Sequence, residues 1–358
     1  MSDDDNSPIT VRQAKALFAD LKGAPAIILA VSGGPDSVAL MWLAARWRRT
    51  LARGPRLVAV TIDHGLRPES GREAREVKRL ARALDLPHHT KRWTGEKPKS
   101  GVPAAARAAR YRLLAAAARQ SGASHILTAH TRDDQAETFL MRLLRGSGIA
   151  GLAAMARSIE REGVLIARPF LNVSKSQLIA TLEKAGIGFA DDPTNRDTSF
   201  TRPRIRSVIE GLSAEGGDAR NLARLASRLA RANAAIEILV EGAARYLTLK
   251  DRLAPTSSSA TDSVARRANV SFDARAFAGL PEEIRLRLLQ RAIDRLGDEG
   301  PAELGKVEAL SSALDRALRK SMTRRPAQLK QTLAGALVSL ARGRIVIAPA
   351  PPRRRRAE

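Results

Sequence analysis

The chain has 358 residues, and 61 Lys+Arg against 37 Asp+Glu leave a formal net charge of +24 at pH 7, with 49 of the cations arginine and 12 lysine. That excess argues against an acidic-surface protein and for a polyanionic partner, most simply nucleic acid, although the abundance of Arg and Ala along the whole chain assigns part of it to biased codon usage. Cysteine is absent, which excludes disulfides, Cys-ligated zinc, iron–sulfur clusters, persulfide chemistry and a cysteine nucleophile, and an aromatic share of 3% supplies base-stacking platforms poorly.

The length predicts two or three domains at roughly 100–200 residues each. The first ten residues, MSDDDNSPIT, are acidic and polar and do not read as a signal peptide. No run of about 18 apolar residues occurs, so a soluble, cytoplasmic protein with no membrane partner is expected.

In chain order, the first two hundred residues alternate strand and helix. Residues 26–31 (AIILAV) are a short apolar run entering Ser-Gly-Gly, the pattern of a buried strand ending in a turn. Residues 36–49 have helical apolar spacing. Residues 57–62 form a second buried run, followed by Asp63, His64 and Gly65. Residues 69–84 read as a charged amphipathic helix and 87–93 as an edge strand. The Ala- and Arg-rich segment 103–120 is a strong helix by propensity. Residues 124–129 give another strand, 133–144 a helix, and 164–167 a fifth strand. Repeated β-α units of this length predict an α/β fold, a Rossmann-like parallel sheet with helices on both faces.

Beyond residue 212 the pattern becomes mainly helical. Residues 218–249 have long helical periodicity, and the Ser/Thr-rich stretch 255–263 reads as a linker. Helices at 281–296 and 303–319 precede an apolar alternation at 333–340, with 344–347 completing a hairpin and a small C-terminal α+β part. The expected division is an N-terminal extension (1–22), the α/β domain (23–212), a helical region (213–254), a linker (255–270), a C-terminal helical and hairpin domain (271–348) and a basic tail (349–358).

Three glycine patterns compete as a phosphate site. The segment 300–307 (GPAELGKV) nearly matches a Walker loop, but it lacks the Ser/Thr for magnesium and follows a helical stretch. The segment 146–151 (GSGIAG) satisfies G-x-G-x-x-G, yet it also follows a helix. Ser32, Gly33, Gly34, Pro35, Asp36 and Ser37 stand directly after a buried strand and at the mouth of a helix. There glycines let backbone N–H groups turn towards an anion and the helix dipole favours it. Asp36 is suited to holding Mg2+ against phosphates.

This S-G-G-x-D-S pattern resembles the pyrophosphate loop of the ATP pyrophosphatases, which cleave ATP between its α and β phosphates. Without cysteine, the chain cannot do what the thiolating relatives do or carry a glutaminase nucleophile. Further motifs follow in order: Asp63-His64-Gly65-Leu66-Arg67; Arg107, Arg110 and Tyr111, with the two arginines on one helix face; His130, Asp133, Asp134 and Glu137; Leu143 to Gly148 with Gly151-Leu152; Arg168-Pro169; Asp192-Pro193-Thr194-Asn195; and Arg202, Arg204 and Arg206. Singly, each has a plainer reading. Arg107 and Arg110 also suit a solvated helix face, His130 a helix cap, and Asp133, Asp134 and Glu137 a first helical turn favoured by the dipole.

Jointly, over residues 24–212, the set resembles the tRNA(Ile)-lysidine synthetase family. Pro203 stands where that family commonly has Asn and Thr131 where a second His is frequent, and the C-terminal part is shorter. The resemblance implies a ligase that uses ATP and Mg2+ to join free L-lysine to C2 of the wobble cytidine of tRNA(Ile) with the CAU anticodon, through an adenylated cytidine. It also implies roles for individual residues. Ser32–Ser37, with Asp63 and His64, would bind the nucleotide, and Asp36 would hold the metal. Asp134 and Glu137 would hold lysine's ammonium groups and accept a proton. Arg110 and Arg202 would meet phosphate charge, and His130 would position groups or move a proton. Two other readings stay open: a small-molecule amide or ammonia ligase with the same loop, and a non-catalytic RNA-binding relative. The basic excess is expected to supply a docking surface over residues 107–119 and the Arg-rich helices after 218.

Overall fold

The structure is a computed structural model that describes residues 5–65, 70–95, 97–98, 100–190, 201–253, 269–321 and 328–351. Leu66 and Arg67, the motif Asp192 to Asn195, the expected linker at 255–263 and the arginines of the basic tail lie outside the described residues. Two compact units form, Met1–Gly146 with Ala150–Ala230, and Ser147–Ile149 with Arg231–Glu358.

The first unit is built on a six-stranded sheet of β1 (Ala26–Ala30), β2 (Arg56–Asp63), β3 (His88–Arg92), β4 (His125–Leu127), β5 (Ser158–Arg161) and β6 (Val164–Ala167), in the order β3-β2-β1-β4-β6-β5. Every neighbouring pair is parallel except β5 with β6. Its helices are α1 (Val11–Leu17), α2 (Pro35–Arg49), α3 (Ser70–Ala83), α4 (Val102–Gln120), α5 (Arg132–Leu143), α6 (Ile149–Leu152), α7 (Lys175–Lys184) and α8 (Thr201–Leu212), and α9 (Ala219–Leu253) follows.

The continuous apolar runs of the sequence are explained by burial on both faces of the sheet. Ile27 and Leu29 of β1 pack with Val38, Leu40 and Met41 of α2 and Leu178 of α7 on one side. Ala26 and Ile28 pack with Leu114 and Ala118 of α4 on the other. The strand order reverses between β1 and β4, and open α/β sheets bind ligands in the crevice at the carboxyl ends of two such strands. Both the loop after β1 and the motif after β4 open there.

In this unit one strand is not legible in the sequence. All four residues of β5 are exposed, so its Ser-Ile-Glu-Arg shows no apolar alternation. It is held by a tight turn in which Glu162 (φ 54°) and Gly163 (φ 73°) are both left-handed, the geometry of a two-residue hairpin connection.

The second unit contains β7 (Val270–Asp273), α10 (Ala274–Ala278), α11 (Glu282–Leu296), α12 (Leu304–Ser321), β8 (Leu329–Leu333), β9 (Ala336–Ala341) and β10 (Arg344–Pro349), with an antiparallel sheet ordered β7-β10-β9-β8. Its core joins Phe272, Phe277, Leu289, Ile293, Val307, Leu310, Val338 and Ile345. The apolar alternation at 333–340 is broken by a turn at Ala334-Gly335 (φ 50° and 80°), and Arg342-Gly343 (φ 51° and 73°) repeats the device before β10. Gly305 of the Walker-like segment lies inside α12, so no phosphate loop forms there. Among the described residues no helix is long and apolar enough to cross a membrane.

Candidate active site

The loop after β1 is braced from within. Ser37 Oγ accepts from the backbone N–H groups of Ser32 (3.1 Å) and Gly33 (3.2 Å) and donates to the Gly34 carbonyl (2.9 Å). Its hydroxyl is thereby committed to shaping the loop, whereas Ser32 Oγ, 3.2 Å from Ser37 Oγ, stands nearer its mouth. Gly33 has φ +101°, Gly34 precedes the helix, and Pro35 opens α2, where its missing N–H costs no helical hydrogen bond. The positive end of the α2 dipole therefore faces the crevice.

Asp36 follows in the first turn of α2. Burial, with Asp134 and Asp133 nearby, raises its pKa to about 6 despite the opposing charges of Lys175 and Arg206. Lys175 Nζ lies 4.0 Å from Asp36 Oδ2, and Oδ1 is buried without a hydrogen-bond partner. A hard, buried and unsatisfied carboxylate oxygen beside an anion loop fits a magnesium ion, which takes one or two carboxylates and completes its shell with water and phosphate oxygens. Among the described residues no group of three or more acidic or histidine side chains is arranged as a metal cage.

The facing wall comes from β4, α5 and α8. Thr131 caps α5, its hydroxyl accepting from the Asp134 N–H while Asp134 Oδ2 accepts from the Thr131 N–H at 2.8 Å. Asp134 Oδ1 accepts from Arg202 at 3.1 Å. Burial opposes ionisation of Asp134, but Arg202, Thr131 and His130 hold its pKa below the usual range. Glu137, 2% exposed, accepts from Arg206 Nε at 2.6 Å and lies 3.8 Å from Arg202 Nε, and burial raises its pKa against both cations. Glu137 Oε2 has no hydrogen-bond partner. His130 Nδ1 is 2.9 Å from Thr128 Oγ1. Burial lowers the His130 pKa to about 3 against the opposing pull of Asp134, and the charges of Arg110, Arg168 and Arg107 act in the same direction as burial. Its ring is therefore neutral at pH 7.

These walls enclose a cleft of about 450 Å³. Ser32, Gly34, Pro35, Asp36, Ser37, His64, Arg110, His130, Asp134 and Arg202 line it. Gly33 flanks it. Asp63 does not reach it. That carboxylate accepts from the Gly65 N–H at 2.8 Å and faces Arg92 at 3.6 Å, which fixes the turn that carries His64. Glu137 sits behind the guanidinium groups of Arg202 and Arg206, away from the cleft surface.

Lys175 and Arg206 line the cleft but were not picked out as site residues. A signal for Lys175 was available in Ser174-Lys-Ser-Gln177, a capping box that opens α7. Asp133 Oδ2 also accepts from the Lys175 N–H at 2.9 Å, locking the start of α7 to α5. Arg206 belongs to the motif that also holds Arg202 and Arg204, but its pairing with Glu137, 69 residues away, has no local signal.

The PP-loop domain model ATP_bind_3 matches residues 6–212. The chain is 67% identical to the tRNA(Ile)-lysidine synthase of Bradyrhizobium diazoefficiens, over 100% of this chain and 99% of that one. It is 60% identical to the tRNA(Ile)-lysidine synthase of Rhodopseudomonas palustris, over 99% of each. Against that of Methylobacterium sp. the identity is 48%, over 92% of this chain and 90% of the other. Among solved structures, the U34-tRNA thiolase NcsA from Methanococcus maripaludis with its [4Fe-4S] cluster aligns with TM-score 0.54 at 14% identity, covering 62% of this chain and 78% of that one. That likeness is one of fold, and this chain has no cysteine with which to ligate such a cluster.

Proposed function

The chain belongs to the PP-loop family of tRNA(Ile)-lysidine synthases, and on that footing we propose that it joins free L-lysine to C2 of the wobble cytidine of tRNA(Ile) with the CAU anticodon, consuming ATP. The observation that carries this reading is the single cleft at the strand-order reversal. It faces an anion loop and the unsatisfied Asp36 against a wall of paired carboxylates and arginines.

In the first half-reaction the cytidine C2 oxygen attacks the α-phosphorus of ATP, a P–O bond forms, and the bond to pyrophosphate breaks. The Ser32–Ser37 loop receives the departing phosphates on backbone N–H groups and the α2 dipole. Lys175, beside Asp36, adds positive charge on the same side. Asp36 would hold magnesium, which when bound neutralises phosphate charge. Arg110 and Arg202 face the charge that develops on the transferred phosphoryl group. His130, neutral, positions groups through hydrogen bonds and does not donate a proton.

In the second half-reaction the ε-amine of lysine attacks C2, a C–N bond forms, and the C2–O bond to AMP breaks. An ammonium with an ordinary pKa of about 10.4 must first lose a proton. Asp134, ionised on the cleft wall, is the docking point for the ammonium, and Glu137, with its raised pKa and an Oε2 that makes no hydrogen bond, accepts the proton. Since Glu137 lies behind the two arginines, it reaches the amine only when Arg202 shifts to the phosphate. The target base has to leave its stack to enter the cleft, as in other recognition of single-stranded RNA. A reaction on tRNA belongs to the cytoplasm.

The test is incubation with tRNA(Ile) transcript, ATP, magnesium and labelled lysine. Label entering the tRNA is the expected result. Pyrophosphate release without tRNA would assign a small-molecule ligase instead, and tRNA binding without turnover a non-catalytic relative.

A further inference from the structure

Tyr111 on α4 is 2% exposed, yet its ring is surrounded by cations. The guanidinium carbons of Arg107, Arg110 and Arg161 lie 5.2, 5.5 and 4.6 Å from its centroid. Arg107 and Arg161 are exposed and come from different elements, α4 and the edge strand β5. Among the described residues neither is paired with a carboxylate, whereas Arg202 and Arg206 in the cleft both are. Like charges gathered without counter-charge repel one another. The ring offsets part of that repulsion through cation–π attraction and also limits how far the guanidinium groups can wander.

Arg110 links this cluster to the active site, since it both lines the cleft and lies over Tyr111. The cluster therefore begins at the cleft and continues outward, one helical turn along α4 to Arg107 and across to β5. A free nucleotide has its phosphates served by the loop after β1. Unpaired cations that continue beyond the cleft suit an anion that continues as well.

We propose that Arg107 and Arg161, preorganised over the ring of Tyr111, bind backbone phosphates of the RNA strand flanking the base delivered to the cleft. This rests on tRNA being the substrate and names the surface of the first unit that receives it. It also gives strand β5 a use, because an edge strand whose four residues are all exposed, Ile159 included, contributes little to the core but presents Arg161.

The test uses the full-length protein, with the double variants R107Q/R161Q and R107K/R161K, and measures binding of the tRNA(Ile) transcript across a salt series. Each single-strand phosphate contact contributes about 0.7 to the slope of log affinity against log salt. R107Q/R161Q is expected to bind tRNA roughly tenfold or more weakly and to lose about 1.4 from that slope, with ATP affinity kept. R107K/R161K is expected to recover most of the slope, because an ammonium also neutralises a phosphate. An unchanged tRNA affinity and slope in R107Q/R161Q that still binds ATP would overturn the proposal. So would a lysine variant as impaired as the glutamine one, which would assign the arginines to supporting Tyr111. If the wild type shows the steep salt dependence but never incorporates lysine, the RNA surface stands and the ligase reading fails.

Discussion

Asp36 carries the main electrostatic conflict of the site. An aspartate ordinarily near 3.8 sits at about 6 here, chiefly because burial penalises its charge. Between those two values the folded protein holds a proton that the unfolded chain has released. Its stability therefore falls as pH rises through that window and levels off above about 6. The side chain is 26% exposed, and the shift corresponds to a penalty on the order of 3 kcal/mol when fully expressed. Asp36→Asn is accordingly expected to make the nucleotide-free protein more stable than wild type at pH 8, with the advantage vanishing below pH 4, as read by denaturant unfolding. The same variant should lower pyrophosphate release at least about a hundredfold, because a preorganised charge is lost. Loss of both activity and stability at pH 8 would show that Asp36 is not strained in the way described. Glu137 poses a different question. Glu137→Gln keeps the shape but removes the proposed base, so lysine incorporation should slow by about a hundredfold or more while tRNA-dependent pyrophosphate release continues. Full-rate incorporation would remove Glu137 from the mechanism.

At the scale of elements, the loop after β1 separates two adjacent glycines. Gly33 has φ +101°, and a Cβ there would meet only ordinary contacts, Val77 Cγ2 at 3.6 Å being the nearest. Gly34 has φ −70° and open space. Gly33→Ala should destabilise the protein by about 1–3 kcal/mol through backbone strain alone, whereas Gly34→Ala should leave the melting temperature nearly unchanged. Equal effects would contradict the loop geometry. This loop was legible in the sequence because a buried strand, a turn and a helix mouth surround it, and the two decoy glycine patterns lacked that setting. The elements that were missed differ in their reasons. β5 carries one apolar residue, Ile159, in four and is held by its turn, whereas α7 is only ten residues long, with Leu178 and Leu182 on its buried face and the capping box of Ser174 and Gln177 marking its start. The carboxylates of α5 were legible as residue types. Their pairing with Arg202 and Arg206 was not, since it depends on α8 returning across the cleft from nearly seventy residues away.

For the whole molecule, the doubly wound order of the sheet is what makes the chemistry possible. It brings the carboxyl ends of β1 and β4 together, so one cleft receives both the anion loop and the carboxylate wall. The net charge of +24 says less than it first suggests. Many arginines are internal struts, such as Arg168, whose side chain donates to the Ala156 carbonyl at 2.7 Å, and Arg142, which holds the carbonyls of Gly151 and Ala154. The zero in cysteine discriminates more sharply, separating this chain from the cluster-bearing thiolase whose fold it shares. The central claim is covalent attachment of lysine to the wobble cytidine, and nucleoside mass spectrometry reads it directly. After incubation of the purified protein with tRNA(Ile) transcript, ATP, magnesium and isotopically labelled lysine, a single cytidine at the wobble position should gain the mass of one labelled lysine less one water, dependent on ATP. An unmodified wobble cytidine, with the protein folded and the tRNA bound, would contradict it.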